Sequence, residues 1–206
     1  NKTKDGNFGQ SGDCNVDINC FEGNNWQSEK HSVCRIITNG SLCTGTLINN
    51  TNIDARPFFL TANHCINSQS LANEMLVVFN YESPVCDGPD GSVEQSISGG
   101  IMRATTHHLD FCLVELTEPP LPSYNPYFAG WNNSDSVEGL TTCIHHPQGD
   151  VKKISYDAES PTTSNYGAGY DFESHWLIGD WESGTTEGGS SGSPLFDNYN
   201  RIVGNL

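Results

Sequence analysis

A short segment near the end of the chain, residues 189–194 (GSSGSP), contains a serine that could act as a nucleophile. Small residues flank Ser191 on both sides, so its hydroxyl can stand clear of neighbouring side chains. Glycine also lets the backbone turn tightly enough to direct several N–H groups at one point. This arrangement suits acyl transfer. Because a Gly/Ser-rich segment is also typical of an ordinary turn, the interpretation needs a group that could activate the serine.

A serine hydroxyl is a poor nucleophile until a base removes its proton, and histidine is the usual base near neutral pH. Of the seven histidines, His64 is the best candidate, because it lies just after the apolar run 58–62 (FFLTA). A strand there would fix the backbone of His64. A histidine taken alone is more often structural, but this context favours a general base.

An imidazole base needs a carboxylate that holds its tautomer and stabilises the imidazolium. Asp110 precedes the apolar run 111–116 (FCLVEL). An acid at the start of a buried strand can be desolvated and still hydrogen-bonded. A turn aspartate that merely begins the strand is an equally good interpretation of its position. Asp87 and Asp90 are weaker candidates, since glycine and proline surround them in what looks like a solvated loop.

The elements that must position these groups are predicted to be strands. Helical periodicity is almost absent, and short apolar runs recur between turn signals, as in a β-barrel or sandwich. The predicted strands lie at 33–37, 45–48, 58–60, 75–81, 111–116, 142–144, 176–178, 195–196 and 201–203. The segment 118–122 (EPPLP) cannot continue a strand, so it predicts a linker between two β-rich parts.

Composition narrows the classes of partner and compartment. The eight cysteines include no C-x-x-C pair, which favours disulfides, and hence export, over a zinc ribbon. A formal net charge of −16 argues against nucleic acid and anionic membranes as partners. Solubility explains this charge most simply, and attraction of basic substrates is the functional alternative. No apolar run reaches roughly 18 residues, the length needed to span a bilayer.

The chain order His64, Asp110, Ser191 resembles that of the chymotrypsin-like serine proteases. Within them, four further stretches are similar to the bacterial lysyl endopeptidase group: CNVD at 14–17, CTGTLINN at 43–50, IHHP at 144–147 and TEGGSS at 186–191. The resemblance implies an all-β fold of two perpendicular β-barrels. The N-terminal barrel (residues 1–118) would carry the histidine and the aspartate, and the C-terminal barrel (119–206) the serine.

The resemblance also assigns roles to the site residues. His64 would be the general base, Asp110 would orient it, and Ser191 would attack the scissile carbonyl of a polypeptide substrate. The backbone N–H groups of Gly189 and Ser191 would form the oxyanion hole. No cofactor and no metal are required, and we expect a secreted, monomeric endopeptidase that cleaves after a basic residue, preferably lysine. The alternatives are another primary specificity and a non-catalytic two-barrel binding protein.

Two disulfides expected in the group are Cys43–Cys65 and Cys20–Cys86. The partner of Cys14 is expected beyond Leu206, as are the strands that would complete the second barrel and the acid that selects lysine. We therefore expect the sequence to be part of a longer protein, with residues 1–8 belonging in part to a propeptide. The remaining cysteines predict buried thiols at Cys112 and Cys143, with a Cys34–Cys112 bridge as the alternative.

Two positions depart from the pattern of trypsin-like enzymes. Ser190 stands where those enzymes have an aspartate that pairs with a newly cut N-terminus, so activation by that ion pair is not expected. Thr185, six residues before Ser191, stands at the base of their specificity pocket and carries no charge. Tyr166 is the candidate for a pocket-lining aromatic residue, although a core or surface tyrosine is an equally good interpretation.

Overall fold

The computed structural model describes residues 9–206, so the expected propeptide at residues 1–8 lies outside the described part. Strands dominate the described residues, and the one α-helix there, α1, spans Gln69–Glu74. The strands are β1 Val16–Asp17, β2 Val33–Thr38, β3 Ser41–Ile48, β4 Phe58–Thr61, β5 Leu76–Val78, β6 Ser96–Ser98, β7 Gly100–Thr106, β8 Phe111–Leu116, β9 Thr141–His145, β10 Lys153–Asp157, β11 Thr162–Ser164, β12 His175–Leu177, β13 Pro194–Phe196 and β14 Ile202–Asn205.

The first half of the chain forms a seven-stranded antiparallel sheet in the order β6-β5-β2-β3-β4-β8-β7. Strand β8 shows why the sequence folds this way, because Cys112, Val114 and Leu116 alternate with less buried residues. The alternation places one face of the strand in the core. In the β4–β8 pair, Thr61 lies opposite Cys112, so the end of β4 lies beside the start of β8.

The second sheet has five strands in the order β1-β10-β9-β13-β14, and β11 and β12 form a separate two-stranded sheet. Its first strand comes from the beginning of the chain, since Val16 pairs with Ile154. Trp26 also packs here, with its ring 5.3 Å from that of Phe196. The division at residue 118 stays a prediction, and this N-terminal stretch packs on the second sheet rather than the first.

The all-β prediction is confirmed: all nine predicted strands overlap observed ones, whereas β1, β6, β7, β10 and β11 were missed. The two larger hydrophobic clusters of the described residues stabilise the sheets, one around Leu47, Phe59 and Val114 and the other around Ile144 and Ile154. No helix in the described part of the chain is long and apolar enough to span a bilayer.

The structure contains two disulfides, Cys20–Cys86 and Cys43–Cys65. Cys34, Cys112 and Cys143 are buried free thiols, and Cys14 is an exposed one. The alternative of a Cys34–Cys112 bridge is wrong, because β3 and β4 lie between β2 and β8 in the sheet and keep the two sulfurs apart. Burial raises the pKa of the Cys143 thiol to about 12, as expected for an inert core thiol.

Candidate active site

His64 lies in the turn that follows β4. The carbonyl of Ala62 accepts hydrogen bonds from the N–H groups of Cys65 (3.3 Å) and Ile66 (3.2 Å), which closes a tight turn around the histidine. Cys65 is also bonded to Cys43 on β3. The backbone of His64 is therefore held by a strand on one side and by a disulfide on the other.

Asp110 lies in the turn between β7 and β8. Its N–H donates to the carbonyl of His107 at 3.1 Å, and its φ of +47° lies in the left-handed region, which aspartate tolerates better than most residues. The side-chain amide of Asn205, on β14, donates to the Asp110 carbonyl at 3.1 Å. Both sheets thus contribute to the position of this carboxylate.

Two hydrogen bonds join His64 to the Asp110 carboxylate. His64 Nδ1 lies 2.6 Å from Asp110 Oδ2, and the His64 backbone N–H donates to Asp110 Oδ1 at 2.9 Å. The hydrogen bond to Asp110 is the largest effect on the pKa of His64 and raises it. Burial alone would raise the pKa of Asp110, but the two hydrogen bonds from His64 lower it overall. The carboxylate therefore stays ionised, Nδ1 carries the proton, and Nε2 is left to accept one.

A second connection between these turns was missed by the sequence analysis. Asn63 Nδ2 donates to Thr105 Oγ1 at 2.8 Å, and Thr105 Oγ1 donates to the carbonyl of Phe111 at 2.9 Å. These residues flank the histidine and the aspartate along the chain, so the bonds fix the two turns relative to each other. Nothing in the residue types or spacing of Asn63 and Thr105 predicts this hydrogen bond.

The segment that carries Ser191 needs glycine at two positions. Gly189 has a φ of +93° and Gly192 a φ of +82°. A Cβ on Gly189 would lie 2.8 Å from the His146 carbonyl oxygen, and one on Gly192 would lie 2.2 Å from Thr61 Oγ1. Because these two glycines have no side chains, the segment that carries Ser191 can pack closely against the end of β4, next to the turn that carries His64.

Thr44 joins this segment to the first sheet. Its backbone N–H donates to the Ser191 carbonyl at 2.8 Å, and its hydroxyl donates to the Gly189 carbonyl at 2.9 Å. Its own carbonyl accepts from Thr61 Oγ1 at 2.8 Å. Thr44, which is fully buried, thus binds both the segment that carries Ser191 and the end of β4.

The two predicted oxyanion donors are free. Within the described residues, neither the N–H of Gly189 nor that of Ser191 donates a hydrogen bond. The neighbouring N–H groups are engaged: Ser190 donates to the Glu187 carbonyl at 3.0 Å, and Gly192 donates to the Leu206 carbonyl. Free backbone donors beside a serine hydroxyl are what stabilisation of a tetrahedral oxyanion requires.

His64, Asp110 and Ser191 line the same cavity, whose volume is about 340 Å³. Among the described hydrogen bonds, none joins the Ser191 hydroxyl to the imidazole, a contact that commonly tightens only when substrate binds. Tyr166 also lines the cavity, with 71% of its surface exposed. Thr185 is not among the lining residues, and its carbonyl accepts a hydrogen bond from Ser155 Oγ at 2.8 Å.

Metal-ligand spacing within the described residues occurs at Cys20, Cys86 and Asp87. The first two sulfurs are joined in a disulfide, which removes the thiolates that a metal would bind. This group therefore offers one carboxylate and cannot act as a metal centre.

The lysyl endopeptidase C-terminal domain family matches residues 8–206. Lysyl endopeptidase of Pseudomonas aeruginosa is 33% identical over 202 residues, a match that covers 91% of this chain and 42% of that protein. Two solved structures share the fold at low identity. Protease Anisep from Arthrobacter nicotinovorans gives a TM-score of 0.63 at 15% identity, covering 93% of this chain and 84% of that one. A Glu endopeptidase gives 0.53 at 18% identity, covering 85% and 78%.

The chain spans less than half the length of the curated relative, and it matches the domain family along almost all of its own length. The expected resemblance to chymotrypsin-like serine proteases is confirmed by the family match and by the shared fold. This chain belongs to the lysyl endopeptidase family, within its C-terminal domain.

Proposed function

We propose that the chain is the catalytic part of a serine endopeptidase that forms an acyl-enzyme on Ser191. The observation that carries the proposal is the His64–Asp110 pair, which lines one cavity with Ser191. The free N–H groups of Gly189 and Ser191 add the second requirement of acyl transfer, because they can bind the oxyanion as it forms.

The reaction follows from these positions. His64 Nε2 takes the proton of the Ser191 hydroxyl while the oxygen attacks the scissile carbonyl carbon of a polypeptide. The carbonyl π electrons move to the oxygen, which the N–H groups of Gly189 and Ser191 stabilise. Collapse expels the amine, which takes the proton from His64. A water molecule, deprotonated by the same imidazole, then hydrolyses the ester and restores the serine.

We infer a preference for lysine before the scissile bond from the family and from the net charge of −16. The rival is another primary specificity. A Glu endopeptidase shares the fold, and Asp110 is the only acid among the described residues that line the cavity. Peptide substrates that differ only in lysine, arginine, glutamate or leucine at this position would decide between them. A kcat/KM for glutamate above that for lysine would refute the lysine preference.

We propose that the protein is secreted, because the two disulfides suit an oxidising compartment, and that it acts as a monomer on polypeptides. Treatment of the full natural chain with a fluorophosphonate probe tests the catalytic proposal itself. We expect labelling of the wild type and of Ser136→Ala, an exposed control serine, and none of Ser191→Ala. An unlabelled wild type would refute the proposal in favour of a non-catalytic binding protein.

A further inference from the structure

Ser190, the residue before the proposed nucleophile, has a fully buried side chain. Its Oγ accepts a hydrogen bond from the Glu187 backbone N–H at 3.2 Å and lies 2.7 Å from His145 Nδ1. Neither partner of Ser190 lines the cavity. A buried hydroxyl with two partners at this position is a fixed point of the loop, since breaking either bond would leave a polar group unsatisfied.

His145, on β9, continues the chain of bonds. It is fully buried, and its Nε2 lies 3.2 Å from Ser155 Oγ on β10. The Ser155 hydroxyl donates to the Thr185 carbonyl at 2.8 Å, so its oxygen must accept from the imidazole. The proton of the neutral ring is then on Nε2, and Nδ1 is bare. Ser190 therefore donates its hydroxyl proton to Nδ1.

The directions of all these bonds are now determined. They run from the Glu187 N–H through Ser190 to His145, and from His145 through Ser155 to the Thr185 carbonyl. Ser190, His145 and Ser155 each donate one of these bonds and accept another, so the bonds polarise one another in the same sense. This chain of hydrogen bonds starts and ends in the segment 185–191, and it passes through two strands of the second sheet.

The surroundings keep the imidazole neutral. Burial, and then the charge of Lys153, lowers the pKa of His145 to about 3. Lys153 lies opposite His145 on β10, and its ammonium is hydrogen-bonded to Asp17 on β1. His146, the next residue, is also fully buried, and its pKa is lowered by burial and by nearby cations. The carboxylate of Glu187 is engaged elsewhere, by the Gly12 N–H at 3.0 Å.

We propose that Ser190 and His145 are positioning residues that hold the serine loop in its reactive conformation through an uncharged hydrogen-bond chain. The inference rests on the proposed function. The hydrogen-bond chain fixes Ser190, which lies between Gly189 and Ser191, the two residues whose N–H groups are free. It takes the place of the ion pair between an aspartate and a new N-terminus that trypsin-like enzymes have at this position.

Substitutions of Ser190 in the full natural chain test the proposal by steady-state kinetics. Ser190→Ala removes both contacts, and we expect kcat to fall by roughly 10- to 100-fold, with KM changed much less, because the reacting groups are displaced. Ser32→Ala is the matched control, since Ser32 is also fully buried and its hydroxyl donates to the Glu29 carbonyl at 2.6 Å, away from the cavity. It should keep the wild-type kcat.

Ser190→Asn and Ser190→Asp place side chains of nearly the same shape at this position. Their pH dependence of kcat gives a readout that a purely structural role would not produce. The amide of Ser190→Asn can accept from the Glu187 N–H and donate to His145 Nδ1, so part of the activity should return without a new pH dependence. The carboxylate of Ser190→Asp has no proton to donate, and its pairing requires an imidazolium at His145. We expect its kcat to fall as pH rises through the pKa of that imidazolium.

Different results would refute different claims. If the wild type is unlabelled by fluorophosphonate, the proposed function fails. If the wild type is labelled but folded Ser190→Ala keeps its kcat, only the positioning role fails. Identical pH profiles for the asparagine and aspartate variants would also overturn it. Should Ser190→Ala not fold, Ser155→Ala breaks the same chain at a distance, and an unchanged kcat there would be equally decisive.

Discussion

Replacing Gly192 with alanine should disrupt the contact between the serine loop and the first sheet. The φ of +82° costs an alanine about 1–2 kcal/mol. The new Cβ would also lie 2.2 Å from Thr61 Oγ1 and 2.3 Å from the Thr44 carbonyl oxygen. Overpacking of this kind typically costs about 1–3 kcal/mol, so the free energy of unfolding should fall by about 2–5 kcal/mol.

Two other glycines separate these contributions. Gly40, in the β2–β3 turn, has a φ of +77° but no atom within 4 Å of an added Cβ, so alanine there should cost about 1–2 kcal/mol from backbone strain alone. Gly179 has open space around an added Cβ and no left-handed φ. The free energy of unfolding of Gly179→Ala should therefore lie within about 0.5 kcal/mol of the wild-type value.

Urea unfolding of the three variants measures the stability differences, and kcat reports the position of Ser191. We expect the order of destabilisation Gly192, Gly40, Gly179, with loss of kcat confined to Gly192→Ala. If Gly192→Ala matched Gly40→Ala in stability and kept its kcat, the close approach of the serine loop to β4 would be refuted.

Three further predictions concern the site and its support. Asp110→Asn should lower kcat by roughly 10⁴-fold and move the acid limb of the kcat/KM profile to lower pH, because the hydrogen bond that raises the pKa of His64 is lost; an unmoved limb would contradict this. Thr44→Val removes the hydroxyl that donates to the Gly189 carbonyl and should cost about 1–3 kcal/mol in urea unfolding, against no change if that bond is absent. Because His145 has a pKa of about 3 when folded, below its unfolded value, the unfolded state binds more protons between the two. Stability should therefore fall by up to about 1.4 kcal/mol per pH unit as pH drops through that window, and His145→Gln should flatten the slope.

The strands that the sequence predicted are those with a regular apolar pattern. β8 could be predicted because Cys112, Val114 and Leu116 alternate with less buried residues. β7 was missed because its sequence, GIMRATT, is mostly polar or exposed, and it is a strand because it pairs with β8. β1 has only two residues, and its pairing with β10 joins positions that are 138 apart, 16 and 154. No local pattern predicts such a pairing.

The candidate site was predicted as a set of chemical groups rather than as a geometry. His64, Asp110 and Ser191 were found from residue type, neighbours and order. The distance between their side chains could not be predicted, because His64 and Asp110 are 46 positions apart and come together only through strand pairing in the first sheet. For Tyr166, a pocket-lining position and a core or surface position were equally good interpretations; it lines the cavity, whereas Thr185 does not.

The sequence alone determined which candidate nucleophile, base and acid this protein offers, because those properties belong to individual side chains and their order. Only the tertiary structure decided which backbone N–H groups stay free and which imidazole is exposed. His64 is half exposed beside a carboxylate, whereas His145 is fully buried between two hydroxyls. The same side chain is thus a candidate base in one place and a neutral hydrogen-bond link in the other. Solvation and hydrogen-bond partners come from residues distant in sequence, and they set the pKa of each ring.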